Sequence, residues 1–528
     1  MSATHYNLTE FNSRRSPVFA RRGMIASAHP LASLSGMRML LEGGNAIDAA
    51  VAAAAVLGVV EPYQTGLGGD AFALIYSGRE RRARALNASG PAPAAATLEH
   101  YRKRGLETIP ARSPLAWTVP GCVDGWSQML TQHGRFTLAQ VLQPAIEYAE
   151  SGFPVAPGDA RSWKLNEAVL QADPEAARTL LIDGRAPVAG DVLVQRDLAR
   201  TLRLLAEGGR DAFYEGEIAD RLAQYSGKMG GLLRKSDLAA YRAEWQEPIG
   251  VDYRGHRILE CPPNGQGLAA LIALNALCGV DFSQHRRDSA ECWHLLIEAT
   301  KQGMIAARHH VADPRHADIP VSSLLDGAQQ PGGWVASSPK AKAWGRSDTV
   351  YLAATDDEGN AVSFINSVFD DFGSGHVAAG LGFTMQSRGA GFSLNPADPN
   401  CIAPGKRPFH TIIPSMVLKG DAPVLTLGVS GGFMQPQGHV QLVVNLLDYG
   451  LDVQSAIDMP RFWWEEGRRV VLEAGVPEAT CAKLASWGHE IVRREHRGMG
   501  GAQIIASLPG GVFAAGSEPR QDGCAIGY

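Results

Sequence analysis

The chain has few of the features that mark several common protein classes. Its seven cysteines, at 122, 261, 278, 292, 401, 481 and 524, are odd in number and form no C-x-x-C pair. That argues against a disulfide framework and a zinc ribbon, and leaves reduced thiols. Long apolar runs are also missing: the longest, "AIDAAVAAAAVLGVV" from Ala46 to Val60, carries Asp48 and is too short to span a bilayer. It reads as a buried helix. The opening "MSATHYNLTEFNSRRSPVFARRG" has no apolar h-region, so no secretory signal and no membrane partner are expected, and the expected location is cytoplasmic. No Lys/Arg cluster stands out against a net charge of -5 and a pI near 6.3, which excludes the basic field that tracks phosphates in nucleic acid. "GLGGD" (Gly66 to Asp70) and "FGSGHVAAG" (Phe372 to Gly380) are glycine-rich, yet neither is a G-x-G-x-x-G in a βαβ frame. No dinucleotide, and no cofactor of another kind, is expected. His309, His310 and His316 with Asp313 lack an H-E-x-x-H frame, and neighbouring helical histidines diverge by about 100°, so they are not expected to hold a metal.

What is present is enough apolar residue, 45% of 528, to bury a large core. "PLASLSGMRMLLEGG" reads as a helix ended by Gly43-Gly44, with Asn45 as N-cap of the alanine-rich helix that follows. "GLGGDAFALIYSG" and "RRARALNASGPAP" give a turn and two strands, helical periodicity dominates from about 97 to 240, and "HLLIEATKQGMIAARHHVADP" is a long helix stopped near Pro314. From about 328 to 348, "AQQPGGWVASSPKAKAWGRSD" has no period and reads as an exposed connector. A β pattern follows: "TVYLAAT" and "NAVSFINSVF" around the turn "DDEG", then "GLGFTMQ", "TIIPSMVL", "APVLTLGVSGG", "GAQIIASL" and "GVFAAGS". The chain therefore divides into a mainly helical part, 1–348, and a sheet-rich part, 349–528, with no internal repeat.

Two hydroxyls are candidate nucleophiles. Thr349 opens a strand where the connector ends, although a strand-initial threonine is ordinarily no more than a β-branched sheet residue. "GVSGG", Gly428 to Gly432, satisfies G-x-S-x-G after an apolar strand, making Ser430 a candidate with Asp458 and His489 as partners. Against it, Pro436 stands four residues past Gly432, where an elbow helix should be entering its second turn.

Seven ordered blocks across about 400 residues decide between them: "GGNAIDAAVAAAAVLGVVEPYQTGLGGDAF", "VPGCVDGW", "PPNGQG", "DTVYLAATDDEGNAVSF", "FGSG", "GKRPFHTIIP" and "GVSGG". Together they resemble the γ-glutamyltranspeptidase family of N-terminal nucleophile hydrolases. The resemblance implies an α+β, four-layer αββα sandwich, made as one chain and cleaved by itself between Asp348 and Thr349 into interlocked fragments 1–348 and 349–528. Cleavage supplies what the chemistry needs: an amide nitrogen is not basic, whereas an α-amine with a pKa of about 7.7 to 8.0 accepts the proton of its own residue's hydroxyl. Thr349 matches the family's nucleophile, Ser367 the hydroxyl that positions it, and Gly431 and Gly432 the oxyanion-hole glycines.

The substrate clamp departs from the family. The arginine that holds a γ-glutamyl α-carboxylate would fall in "LNASGPAP", where Ser89 is the best match. An asparagine two residues after the positioning hydroxyl is Phe369, the glutamine and aspartate that hold the α-amino group are Arg388 and Gly391, and a serine pair is His410 and Thr411. This pattern resembles the acylase and amidohydrolase branch. Phe369 would shrink the pocket, and Arg388 with His410 would grip a small carboxylate without an amino group. Hydrolysis of a small acidic amide is expected, with oxamate the most specific candidate and a glutaryl-type acylase also open. A γ-glutamyltransferase or glutathione hydrolase, and an uncleaved binding protein, stand as alternatives. The expected partners are the small carboxylate amide and the two fragments for each other; assembly into a homo-oligomer stays open.

Overall fold

The computed structural model describes residues 15–328, 330–332, 335–337, 348–495 and 498–528; most of the 328–348 connector lies outside the described residues. Two seven-stranded antiparallel sheets lie face to face. The first runs Val18–Ala20, Val512–Ser517, Ala502–Leu508, Ala422–Val429, Ser415–Lys419, His256–Glu260 and Ile249–Tyr253. The second runs Cys524–Gly527, Gly23–Ser27, Asp348–Asp356, Ala361–Phe369, Asp70–Ser77, Arg82–Ala88 and Glu244–Gln246. Each sheet takes strands from both sides of residue 348.

Because successive side chains of a strand point to opposite faces, a sheet covered on both faces needs apolar residues at every position. The Asp70–Ser77 strand meets that requirement: Ala71, Ala73 and Ile75 face a helical layer, while Phe72, Leu74 and Tyr76 face the other sheet. Val350, Leu352 and Ala354 likewise face the helices, and Tyr351 and Ala353 the inter-sheet core. Each large apolar side chain buried there contributes about 1.5–3 kcal/mol. Helix Ala46–Val60 covers the second sheet, with Leu138–Ser151 and Arg196–Tyr214 packed outside it. Gly267–Leu277, Ala290–His310 and Met434–Leu447 cover the first. The result is an αββα sandwich.

Local signals account for the hairpin that carries Thr349. Asp356 accepts hydrogen bonds from the Glu358 and Asn360 amides, closing the "DDEG" turn, and its other oxygen accepts from Ala46 N at 2.9 Å. The hairpin tip thus anchors a helix N-terminus, where negative charge is favoured. That helix begins as expected, with Asn45 and Asp48 forming a capping box, and every residue but Gly58 is buried.

Two expectations need correction. "GLGFTMQ" is not a strand: Gly380 and Gly382 have φ of 70° and 76°, which break an extended run, and only isolated bridges remain at Thr384 and Met385. Pro436 does not oppose a helix after "GVSGG". The helix starts at Met434, so Pro436 lies in its first turn, where no amide donor is needed.

Candidate active site

Thr349 is fully buried, and its Oγ1 donates to Ser367 Oγ at 3.1 Å. The pairing of their strands explains the meeting. Asp348 pairs with Phe369 and Val350 with Asn366, so Thr349 alone stands opposite Ser367 and Val368, a bulge that re-aims its side chain. The strand then turns sharply. Phe369 has φ of 82°, and its amide donates back to Ser367 Oγ at 2.9 Å. A bulky residue in the left-handed region costs on the order of 1–3 kcal/mol, so the fold retains strain here that asparagine would carry more easily.

The Phe369 ring has a use that offsets the strain. Arg388, fully buried, lies with its guanidinium 4.2 Å from the ring centroid, donates from Nη2 to Ser367 Oγ at 3.2 Å and from Nη1 to Thr411 Oγ1 at 2.7 Å. Its Nε is buried without a partner, and burial holds its pKa down to about 10 although Asp70 and Asp370 pull it up. From Thr411 the network continues: Gln266 Nε2 donates to Thr411 O at 2.6 Å and to Gly432 O at 2.9 Å. Hydrogen bonds therefore run unbroken from Thr349 through Ser367, Arg388, Thr411 and Gln266 to the glycine loop.

Gly431 and Gly432 have φ of 108° and 58°, a succession open to glycine alone. Among the described residues neither amide donates a hydrogen bond, although Gly432 is buried. The competing triad is not assembled. Ser430 Oγ accepts from Gly501 N and Gln521 Nε2, Asp458 accepts from Gln454, and His489 is bonded to His294 at 2.8 Å. Ser430 is a strut of the loop.

Ser89 joins through a second path: its Oγ accepts from Asn264 Nδ2 at 3.2 Å, and Asn264 O accepts from His410 N. His410 has both ring nitrogens engaged, Nδ1 accepting from Ile412 N at 3.4 Å and Nε2 donating to Asp70 at 3.0 Å. Burial, then the nearby Arg388 and Arg407, push its pKa well below 6.5, so it is neutral and its bond to Asp70 is not an ion pair. Asp70 is the residue the sequence reading missed. Burial raises its pKa to about 7, against the lowering pull of Arg388 and three further donors. Its signal was a carboxylate, at the end of "GLGGD", opening an otherwise apolar strand.

A cleft of about 410 Å³ reaches Asp370 and Gly431, with Gln64, Arg112, Arg161 and Trp463 in its walls. His309, His310 and His316 do not converge; Asp313 is held by Arg315 and the Arg407 amide. A different group, His294, Glu298 and His489, does come together, but Lys301 donates to Glu298 at 2.6 Å and supplies the positive charge there.

This sandwich, with a threonine second in its strand, a hydroxyl partner and a glycine pair of positive φ, is an N-terminal nucleophile hydrolase fold. Residues 32–528 match the family model for γ-glutamyltranspeptidase. The chain is 40% identical over 523 residues to a glutathione hydrolase-like YwrD proenzyme of Bacillus subtilis, covering 97% of this chain and 99% of that one. It is 37% identical to an oxamate amidohydrolase proenzyme of Klebsiella pneumoniae, covering 96% and 98%. A cephalosporin acylase from Bacillus halodurans superposes with a TM-score of 0.94 at 41% identity, covering 99% and 98%. The chain belongs to the γ-glutamyltranspeptidase family, and it is an amide-bond hydrolase of the N-terminal nucleophile type. No helix among the described residues is long and apolar enough to cross a membrane.

Proposed function

We propose that the chain matures by cleaving its own Asp348–Thr349 bond and then hydrolyses the amide of a small acidic substrate. In maturation Thr349 Oγ1 adds to the Asp348 carbonyl, the C–N bond breaks to free the α-amine, and water hydrolyses the resulting ester to the Thr349 hydroxyl and a carboxylate on Asp348. Fragments 1–348 and 349–528 stay associated because each sheet draws strands from both. In turnover the Thr349 α-amine takes the hydroxyl proton as Oγ1 attacks the substrate carbonyl, the Gly431 and Gly432 amides receive the oxyanion, and the α-ammonium returns that proton to the substrate nitrogen, which leaves as its C–N bond breaks. Water then releases the acid. One oxyanion donor typically accounts for roughly 3 to 4 kcal/mol.

The observation that carries the substrate class is Arg388, a buried cation touching Ser367, whose Nε–H has no partner. A substrate carboxylate offers that N–H a partner and the cation a counter-charge. Phe369 stacks on the guanidinium, and Thr411 orients it. His410, its nitrogens already engaged, supports the clamp through Asp70 instead of gripping the carboxylate, and Ser89 supports it through Asn264. Oxamate, giving oxalate and ammonia, is the specific candidate, supported by the likeness to the oxamate amidohydrolase. A glutaryl-type amide stays in the same reading, since it too would present a carboxylate to Arg388. The seven unpaired cysteines fit a reducing, cytoplasmic location. The test is ammonia or amine release by matured enzyme from oxamate, a glutaryl amide and a γ-glutamyl anilide. Turnover of one of the first two supports the proposal; efficient turnover of the anilide alone contradicts it.

A further inference from the structure

Asp70 belongs to no step above, yet its carboxylate is the point where the site is tied together. Oδ1 accepts from Gly90 N at 2.9 Å, Gly121 N at 3.2 Å and Gln386 Nε2 at 3.0 Å, and Oδ2 accepts from His410 Nε2 at 3.0 Å. Three of these donors neighbour site residues: Gly90 follows Ser89, Gln386 lies two before Arg388, and His410 precedes Thr411. Asp70 is itself the cross-strand partner of Ser367. The segments close tightly around the carboxylate; a Cβ at Gly90 would stand 1.4 Å from Val119 O.

We propose that Asp70 is a positioning residue of this active site, whose ionised carboxylate holds the segments bearing Ser89, Arg388 and Thr411 in register with Ser367 and so aligns Thr349 for attack. The proposal rests on Thr349 being the nucleophile. An ionised carboxylate offers only acceptors, matching four donors; once protonated, it points an O–H at one of them and that segment loses its tie. The titratable and charged groups around Asp70 are His410, Arg388, Cys122 and Tyr241, with Asp370 acting on Arg388 and Arg407 on His410. Burial puts the Cys122 thiol and the Tyr241 phenol well above their ordinary values and His410 well below its own, Arg388 titrates at about 10, and Asp370 is raised by burial. Asp70, at about 7, is the one poised to switch near neutrality.

The test is the rate of self-cleavage of the full chain made by cell-free translation, followed on denaturing gels from about pH 5.5 to 8.5. The precursor has no free amine at Thr349 until the C–N bond breaks, so that amine takes no part in the first attack, and a limb near 7 is assigned to Asp70 by its shift in Gln386→Leu. The wild-type rate should fall as pH drops through about 7. Asp70→Asn, which turns a donor toward one of the four donors, should cleave about 10-fold or more slowly at pH 8 and lose the limb near 7. Gln386→Leu keeps the carboxylate but removes a donor that favours its ionised form, so the midpoint should move to higher pH. This second variant decides the matter if Asp70→Asn does not fold. Wild-type rate and profile in Asp70→Asn, or an unmoved midpoint in Gln386→Leu, overturns the proposal while leaving Thr349 as nucleophile. A wild-type chain that never cleaves at Thr349 overturns both.

Discussion

Arg388 and Arg461 are both buried, at 0% and 2% exposure, but they are compensated differently. Arg461 donates to Glu518 at 2.8 Å and to the carbonyls of Met499, Gly500 and Ile457. Glu518 also accepts from Arg520, which is held by Glu473 at 2.6 Å. Two arginines and two carboxylates balance within the fold. Arg388 has two hydroxyls, an aromatic face and an unspent Nε, and among the described residues it makes no ion pair. Taking a charge out of water costs several kcal/mol unless it is paired. The quartet near Arg461 settles that cost internally and so is structural. Arg388 is left short of a partner, and a substrate carboxylate would complete it.

The comparison breaks if the two sites respond alike to mutation. Glu518→Gln leaves Arg461 and Arg520 under-paired and should cost about 3–5 kcal/mol in denaturant unfolding, with KM of the folded enzyme unchanged. Arg388→Met should do the reverse, leaving unfolding nearly unchanged while raising KM for carboxylate amides roughly 30-fold to several thousand-fold, the equivalent of about 2–5 kcal/mol. Ser367→Ala strands the Arg388 and Phe369 donors and should lower kcat by about 10-fold, in line with about 1–3 kcal/mol for an unsatisfied group. A further effect concerns pH. Asp70 binds its proton more tightly folded than unfolded, so its contribution to stability is fully present below about pH 3.9 and is lost as pH rises through about 7. Unfolding free energy should carry a slope of about -1.4 kcal/mol per pH unit from this group between about pH 4 and 7, absent in Asp70→Asn. The ionised form that serves the site is thus the form the fold holds at a cost.

Much of this was legible where the controlling interactions are local. The Asp348–Asp356 and Ala361–Phe369 hairpin followed from strand residues flanking "DDEG", and the Ala46 helix from its cap. The strands at 18–27, 244–260 and 524–527 were not legible, because they are short, several carry charged or glycine residues, and they become strands by pairing with segments far along the chain. The site divides the same way. Thr349, Ser367, Gly431 and Gly432 came from motif resemblance, whereas the role of His410 depended on Asp70, 340 residues away. No local pattern encodes that contact. Gln266 lay within "PPNGQG" all along, but its bridge between Thr411 and Gly432 needed three distant loops in place.

The central claim is that Thr349 is both nucleophile and, once freed, base. N-terminal sequencing of the small fragment in purified, active protein tests it most directly. A fragment beginning Thr349-Val350-Tyr351, absent in Thr349→Ala together with all activity, is the predicted result. Activity from an uncleaved chain, or a fragment beginning at any other residue, would contradict it.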